Sequence, residues 1–305
     1  MVVDVHAHVI LPGFGAEVRH EYGKQIVAFE GREIRSAIHE FVSIEGILEE
    51  QDRAGVDRVV LCPWVQLLDR EPERQNEGLA RLVSDRVACL GTAPLDDPEA
   101  LVALMADGRL SGVEVAASFD GEYLGADRFR PFWAAAEETG ALVFVHPTTR
   151  GFQGPVFGEH YLWNTVGNPL ETTITAAHMV LCGVLDEHPA LNVILAHGGG
   201  AITALRGRLA HHQSFAEPGR DVLAALRRFY YDTVVFDPGV LRALVEFAGP
   251  GRVLLGSDYP FDMGERRAAA AVRAAGFSSL DEASILGGNA LRLLGRGSRR
   301  KDMDD

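Results

Sequence analysis

The sequence predicts an α/β protein with a parallel (β/α)8 TIM barrel. Three observations support this fold: eight short strand-like runs, helical patterns between them, and a length of 305 residues. Strands that alternate with helices form parallel sheets, and eight such units in a chain of this size are typical of a closed barrel. The same alternation also permits an open, doubly wound sheet, but the number of units favours the barrel.

The strand-like runs are short and rich in branched apolar residues, and turn-forming or polar residues separate them. They lie at Val2–Val5, Asp57–Leu61, Val87–Leu90, Gly112–Val115, Ala141–Val145, Leu191–Leu195, Phe229–Asp232 and Arg252–Leu255. Helical patterns lie between them, the clearest at Ile44–Ala54, Pro98–Asp107, Phe129–Thr139, Glu171–Glu187 and Pro238–Phe247.

Two connections are longer than an ordinary loop between a strand and a helix. Residues 12–43 follow the first strand as an irregular stretch, which we expect to be an insertion over the barrel mouth. Residues 147–169 form a long loop after the fifth strand, with several glycines and aromatic residues. Both connections start at the C-terminal ends of strands and therefore lie on the face where barrel active sites are built. We predict one domain over residues 1–295, followed by a polar C-terminal tail over 296–305.

Composition narrows the class of protein. The chain is 47% hydrophobic and 24% charged, as in an ordinary globular enzyme, and its net charge of −14 argues against a nucleic-acid partner. The three cysteines are far apart and form no paired motif, which fits a reducing compartment. We find neither a basic-then-apolar leader nor an apolar run of the roughly 18 residues that a membrane span needs. We therefore expect a cytoplasmic protein without a membrane partner.

Histidines and an aspartate follow several of the predicted strands. His6 and His8 end the first strand, and because strand side chains alternate between faces, they point the same way. His146 follows the fifth strand, His197 the sixth, and Asp258 the eighth. In a barrel, all five lie on one rim. Imidazole and carboxylate ligands suit zinc or a similar first-row metal, so this rim is a candidate metal site.

This arrangement resembles the amidohydrolase superfamily, whose barrels carry His-x-His on the first strand, histidines on the fifth and sixth, and aspartate on the eighth. Binuclear members use a carboxylated lysine on the fourth strand. The corresponding run here, Gly112–Ala116, contains no lysine, and the chain has only Lys24 and Lys301. Glu114 is a disfavoured alternative as a bridging ligand. The resemblance therefore implies one divalent metal ion per chain, with Zn2+ favoured and other first-row metals also fitting.

Five motifs spread over the whole chain are similar to those of the α-amino-β-carboxymuconate-ε-semialdehyde decarboxylase family. They are Asp4-Val5-His6-Ala7-His8, Val145-His146-Pro147, Glu171-Thr172-Thr173, Ala196-His197-Gly198-Gly199-Gly200 and Gly256-Ser257-Asp258-Tyr259-Pro260-Phe261. The resemblance implies that His6, His8, His146 and Asp258 bind the metal. It also implies that His197 is the acid/base beside a metal-bound water, with Asp258 as its catalytic partner. No organic cofactor is required.

The same resemblance implies how a carboxylic acid substrate is held. Arg35 and Arg208 lie where the family carries two carboxylate-binding arginines, the second donated by the partner subunit of a homodimer. The family's pocket tryptophan is replaced by Asn164, with Trp163 one residue earlier, so the substrate differs or is held differently. Trp64, in a segment that also differs, is a further pocket candidate, and Phe261 completes the predicted substrate-binding residues.

These residues predict a metal-dependent, non-oxidative decarboxylase of an aromatic or unsaturated, muconate-type carboxylic acid. The runner-up is a hydrolase or hydratase that uses the same mononuclear site on a lactone, ester, amide or activated double bond, because both reactions need an activated water. A non-catalytic barrel is a third hypothesis, disfavoured because no expected ligand is missing.

Overall fold

The computed structural model describes residues 1–14, 17–21, 24–29, 32–36, 43–148, 155–216 and 220–299. Eight parallel strands in this part of the chain match the eight predicted runs to within a few residues. They are β1 (Val3–Val9), β2 (Arg58–Pro63), β3 (Val87–Cys89), β4 (Gly112–Ala116), β5 (Leu142–His146), β6 (Asn192–Leu195), β7 (Tyr230–Asp232) and β8 (Val253–Leu254).

The eight strands close into a ring. β1, β2 and β3 form one ladder, and β4 to β8 form another in which each strand pairs with the next. A parallel bridge between Gly91 and Val113 joins the two ladders on one side, and a bridge between Ala7 and Tyr259 joins them on the other. The backbone N–H of Val5 also donates to Leu255 O at 2.9 Å. The predicted (β/α)8 barrel is therefore confirmed.

The helices surround the barrel. They are α1 (Ile44–Ala54), α2 (Pro72–Ala80), α3 (Pro98–Asp107), α4 (Arg130–Thr139), α5 (Asn168–Leu181), α6 (Val184–Glu187), α7 (Ile202–Ala216), α8 (Val222–Leu226), α9 (Pro238–Ala248), α10 (Ala268–Ala274), α11 (Ser279–Ala283) and α12 (Asn289–Arg299). Local sequence explains several ends: in α1, the Ser43 side chain accepts from Gly46 N, and Gly55 ends the helix with φ 73°.

Two predicted boundaries are wrong for local reasons. The helical pattern Glu171–Glu187 is two helices, α5 and α6, because the chain turns at Gly183 with φ 80°. α5 also begins three residues earlier than expected. At the other end, α12 runs to Arg299 and so takes in the first four residues of the predicted polar tail. Residues 300–305 lie outside the described residues.

The segment 12–43 is not the irregular stretch that we expected. It contains a three-stranded antiparallel sheet formed by Glu17–Glu21, Lys24–Phe29 and Arg32–Ser36. Two residues separate each strand from the next along the chain, Tyr22-Gly23 and Glu30-Gly31, and they lie outside the described residues. These strands contain many charged residues and therefore form no apolar runs.

The barrel strands separate two apolar layers, and their residues alternate between them. In β5, Leu142 and Phe144 join the cluster that fills the barrel interior, whereas Val143 and Val145 join the cluster beneath the helices. α12 contributes Ala290 and Leu293 to the interior cluster. No helix among the described residues combines the length and the apolar character needed to cross a membrane.

Candidate metal centre and active site

The two histidines of β1 converge as strand alternation predicts. His6 and His8 are both fully buried, and their Nε2 atoms lie 3.2 Å apart. The Oδ1 atom of Asp258, which follows β8, lies 3.2 Å from His6 Nε2 and 3.4 Å from His8 Nε2. Three potential ligand atoms from two neighbouring strands of the ring therefore point at one place.

His146 and His197 join the same cluster from β5 and from the turn after β6. The His146 ring lies 5.1 Å from the His6 ring and 4.9 Å from the His8 ring, centroid to centroid. His197 Nε2 lies 3.4 Å from the other oxygen of Asp258, Oδ2. One donor atom from each of His6, His146, His197 and Asp258 also lies within 4.8 Å of the others. The structure thus brings together all five predicted residues.

Hydrogen bonds on the far side of three rings leave their Nε2 atoms as electron-pair donors. His8 Nδ1 donates to Pro63 O at 3.2 Å, and His146 Nδ1 donates to Pro147 O at 2.9 Å. His6 Nδ1 donates to the carboxylate of Asp232 at 2.6 Å. Carbonyl and carboxylate oxygens accept only, so a neutral imidazole in each of these positions carries its proton on Nδ1.

The donor set therefore fits a divalent metal ion. His146 Nε2 and Asp258 Oδ1 are buried and lack a hydrogen-bond partner among the described residues. Electron pairs that converge in a buried site repel one another unless a cation lies between them. Ligand atoms about 2.1 Å from a tetrahedral ion lie roughly 3.4 Å apart, close to the separations between His6, His8 and Asp258.

In the metal-free chain, the electrostatics favour neutral rings at His8 and His146 and a protonated ring at His6, whose extra proton a bound metal ion would displace. Burial holds the pKa of His8 below its ordinary value and that of His146 well below it, so both rings are neutral donors. Burial also acts to lower the pKa of His6, but the carboxylates of Asp258 and Asp232 outweigh it and raise that pKa to about 10. The pKa of Asp258 lies well below its usual range despite burial, because His6, His197 and His8 surround it.

Two of these residues sit on strained turns. His197 has φ 56° and Asp258 has φ 58°, values that side-chain-bearing residues rarely adopt. The turn after His197 is also tightly packed, because a Cβ on Gly200 would lie 1.9 Å from Pro169 O of α5. Thr173 Oγ1 accepts from Ala201 N at 2.8 Å and ties the same turn to α5. Backbone strain of this kind is characteristic of functional sites.

A family model described as amidohydrolase matches residues 3–296 of this chain. The chain belongs to the amidohydrolase family. The 2-amino-3-carboxymuconate-6-semialdehyde decarboxylase of Dictyostelium discoideum is 28% identical to this amidohydrolase over 332 aligned residues, covering 96% of this chain and 91% of that protein. The predicted family membership is therefore confirmed.

Solved structures support the barrel of this amidohydrolase. The apo form of Metarhizium anisopliae IDCase superposes with a TM-score of 0.81 at 24% identity, covering 98% of this chain and 97% of that one. A dihydroxybenzoic acid decarboxylase from Polaromonas sp. JS666, solved with bound manganese and the inhibitor 2-nitroresorcinol, superposes with a TM-score of 0.80 at 19% identity, covering 96% of each chain.

The predicted substrate-binding residues of the amidohydrolase lie in several places. The Phe261 ring lies 5.2 Å from the His8 ring, so it is beside the cluster. Trp64 is only 2% exposed and packs in an apolar cluster that Phe261 covers. Trp163 and Asn164 lie in one turn of π-helix, where Trp163 stacks edge-on against Tyr161 at 4.8 Å and Asn164 N donates to Tyr161 O at 3.1 Å.

The two predicted arginines lie outside the cluster of this chain. Arg208 is exposed on α7. Arg35 lies in the third strand of the inserted sheet, where its backbone pairs with Ile26, and its side chain is outside the described residues. Among the described residues of a single chain, neither arginine contacts the cluster of histidines and Asp258.

Sequence reasoning missed one buried carboxylate, Asp232, and disfavoured a second one, Glu114, as a bridging ligand. Asp232 ends β7 and accepts a hydrogen bond from His6 Nδ1, whereas the sequence predicted it only as the last residue of a strand. Glu114 occupies the interior position of β4, with its oxygens 3.9 Å from His8 Nδ1 and 4.0 Å from His146 Nδ1. It therefore lies on the side of both rings that faces away from the converging Nε2 atoms, which argues against a bridging role.

Proposed function

We propose that this protein is a metal-dependent, non-oxidative decarboxylase that acts on an aromatic or unsaturated carboxylic acid. The observation that carries the proposal is the convergence of the Nε2 atoms of His6 and His8 with Asp258 Oδ1, with His146 and His197 alongside. The decarboxylase from Dictyostelium, similar over nearly the whole chain, supports a carboxy-lyase over the hydrolase and hydratase alternatives.

Within the cluster, we assign His6, His8, His146 and Asp258 as metal ligands and His197 as the acid/base. The two oxygens of Asp258 support this division: Oδ1 faces His6 and His8, whereas Oδ2 faces His197. A bound divalent ion supplies positive charge that stabilises negative charge as it develops on the substrate. Zn2+ fits this donor set, and manganese, which the Polaromonas enzyme holds, is the alternative to test.

His197 then handles the proton that decarboxylation requires. Its Nε2–H faces Asp258 Oδ2 at 3.4 Å, so the carboxylate holds the ring in place. The substrate carbon that bears the carboxylate first gains a proton from His197. The bond to the carboxylate then breaks, CO2 leaves, and the electron pair remains in the conjugated system. An imidazole is suited to this exchange because it both gives and takes protons near neutral pH.

Metal content and turnover test this assignment in two variants. We expect His197→Ala to keep its metal and lose turnover about 100-fold or more, because only the proton carrier is removed. We expect His146→Ala to lose both metal and turnover, because one ligand of four is removed. Metal loss in His197→Ala, or full metal content in His146→Ala, would contradict the division. Wild-type protein that takes up no metal after supplementation would overturn the proposed function.

The reaction class is tested with a panel of substrates. Purified, metal-supplemented protein is incubated with hydroxy- and amino-substituted aromatic acids and with muconates, and CO2 release is followed. The same preparation is given lactones, esters and amides. CO2 release that is absent from His197→Ala supports the decarboxylase. Turnover of a lactone or ester without CO2 release from any acid would replace it with the hydrolase.

We further propose that Phe261, Trp64, Trp163 and Asn164 shape the substrate pocket. Phe261 lies against His8, so a planar substrate bound at the metal meets its ring. Trp64 belongs to the apolar cluster against which Phe261 packs. Phe261→Ala is expected to raise KM more than it lowers kcat, because it removes binding area rather than a proton carrier. An unchanged KM would exclude Phe261 from the pocket.

We also propose a homodimer in which Arg208 binds the substrate carboxylate of the partner subunit, together with Arg35. α7 supports this, because it buries only Ile202 and Gln213 among its 15 residues and leaves Phe215 67% exposed. An apolar residue on the outer face of a helix favours a second packing partner. Guanidinium groups bind carboxylates in a bidentate manner and so orient the departing group.

Mixing two inactive variants tests donation across the interface. His197→Ala disables every site of its own homodimer, and Arg208→Ala is nearly inactive when the substrate concentration is kept far below its raised KM. After subunits exchange, half of the dimers are mixed, and each mixed dimer contains one intact site if Arg208 acts across the interface. We expect about a quarter of wild-type activity to return. No recovery in a sample shown to contain mixed dimers would place Arg208 in its own chain's site.

We propose a cytoplasmic location on the ground of cysteine usage. Cys62 and Cys89 are buried on β2 and β3, and the three cysteines have no paired spacing, as in proteins of reducing compartments. Cell fractionation tests this location, and recovery of the protein in an oxidising compartment would refute it.

A further inference from the structure

Asp232 lies at the end of β7 and accepts four hydrogen bonds while fully buried. Its Oδ2 accepts from His6 Nδ1 at 2.6 Å and from His197 N at 2.9 Å. Its Oδ1 accepts from Gly198 N at 2.7 Å and from Val234 N at 3.1 Å. One carboxylate therefore contacts both a proposed metal ligand and the backbone of the proposed acid/base.

These contacts connect three strands of the barrel. Asp232 contacts His6 on β1 and the turn after β6 that carries His197. It also accepts a hydrogen bond from the backbone N–H of Val234, two residues further along its own chain segment. The turn needs such support, because His197 and Gly198 have φ values of 56° and 60°. Charge-assisted hydrogen bonds to consecutive backbone N–H groups stabilise a turn of this kind.

We infer that Asp232 is a positioning residue that fixes the His6 ring with Nε2 toward the metal position and, through the same carboxylate, holds the turn that presents His197. The inference rests on the proposed function, because it assigns a role relative to that metal site. A carboxylate behind a metal-binding histidine fixes the ring's orientation and its tautomer, and loss of such a partner typically weakens metal binding about 10–100-fold.

Asp232→Asn tests the inference because an amide cannot accept all four hydrogen bonds. Its NH2 group can face Gly198 N and Val234 N, which costs two backbone hydrogen bonds. It can instead face His6 and His197 N, which costs only one, because His6 can move its proton to Nε2 and accept at Nδ1. The second orientation is therefore favoured, and it places a proton on the atom that the metal needs.

Competition with a chelator measures metal affinity independently of turnover. We expect Asp232→Asn to bind metal about 10–100-fold more weakly than wild type. We also expect metal-loaded wild type with 15N-labelled histidine to show a slowly exchanging Nδ1–H resonance from His6, and Asp232→Asn to lack it. A purely structural role would change neither reading at a temperature where the variant is folded.

Thr233→Val is the matched control. It removes the neighbouring buried hydroxyl, which bonds Gly256 O at 3.2 Å and Gly256 N at 3.1 Å, and so destabilises the same strand end. We expect it to lower the melting temperature but to keep the metal affinity. Equal affinity in Asp232→Asn and wild type, or an equal loss in Thr233→Val, would overturn the inference. Failure of wild type itself to bind metal would instead refute the proposed function.

Discussion

Replacing Gly200 by alanine tests how the turn after His197 is built. Gly200 has φ 64° and ψ −122°, a combination that essentially only glycine adopts. A Cβ built there would lie 1.9 Å from Pro169 O and 2.6 Å from Thr173 Oγ1. The side chain therefore meets both a strained backbone and the first turn of α5.

Both effects have known magnitudes. Holding a residue with a side chain in a sparsely populated backbone region costs about 1–3 kcal/mol. Overpacking adds about 1–3 kcal/mol, and this contact is with a backbone oxygen that cannot rotate away. We expect Gly200→Ala to lose about 2–6 kcal/mol of unfolding free energy, and the melting temperature to fall by at least about 3 °C.

Gly55→Ala separates the two contributions. Gly55 ends α1 with φ 73°, and a Cβ there would meet nothing within 4 Å. Gly55→Ala introduces backbone strain without a steric contact, so we expect it to lose about 1–2 kcal/mol of unfolding free energy. Calorimetric melting of the metal-loaded variants measures both. If Gly200→Ala melts no lower than Gly55→Ala, the contact between the turn and α5 is not as tight as the structure shows, and the reasoning fails.

Three further predictions concern the metal, the substrate and the support of β5. Removal of metal by a chelator should lower the melting temperature reversibly, since an ion at 100 times its Kd contributes about 2.7 kcal/mol; an unchanged melting curve would contradict a metal in the folded core. Arg208→Ala should raise KM while changing unfolding free energy by no more than about 0.5 kcal/mol, because Arg208 is exposed; unchanged steady-state kinetics would exclude its role. Glu171→Ala should cost about 2–4 kcal/mol in denaturant unfolding, because Ser118 Oγ and Thr148 N, which donate to it at 2.7 and 2.8 Å, lose an acceptor; a loss below 1 kcal/mol would contradict this.

The sequence predicted the barrel well because its strands have a local signature. Each is a short apolar run buried on both faces, and the predicted and observed ranges agree closely, as for β4 and for α1. The inserted sheet was missed because its strands, such as Arg32–Ser36, are polar and are not apolar runs. The break between α5 and α6 was missed because a single glycine within an apolar pattern, here Gly183, does not by itself predict a positive φ or a helix end.

The cluster of four histidines and Asp258 was predictable from the sequence for a different reason. The five residues follow strands of one parallel barrel, and the ends of such strands share one face, so topology alone brings them together. Asp232 also ends a strand on that face, and this was the available signal. Tyr230-Tyr231-Asp232 contains no histidine and belongs to none of the five family-like motifs, so Asp232 was not predicted as a site residue. Its role depends on backbone N–H groups of the His197 turn, whose positions no sequence pattern specifies.

The proposed metal ligands and most of the proposed substrate-binding residues lie on different parts of the barrel. The proposed ligands and His197 are attached to the barrel, where β1, β5, β6 and β8 fix their distances through backbone ladders. Several proposed substrate contacts lie elsewhere: Arg35 in the inserted sheet, Trp163 in the loop after β5 and Arg208 on α7. Changes in these connections can therefore alter the substrate without disturbing the proposed proton transfer at His197. Exchange of the Trp163–Asn164 pair should accordingly alter KM among aromatic acids far more than it alters metal affinity, and a matching loss of metal would show that the two parts are coupled.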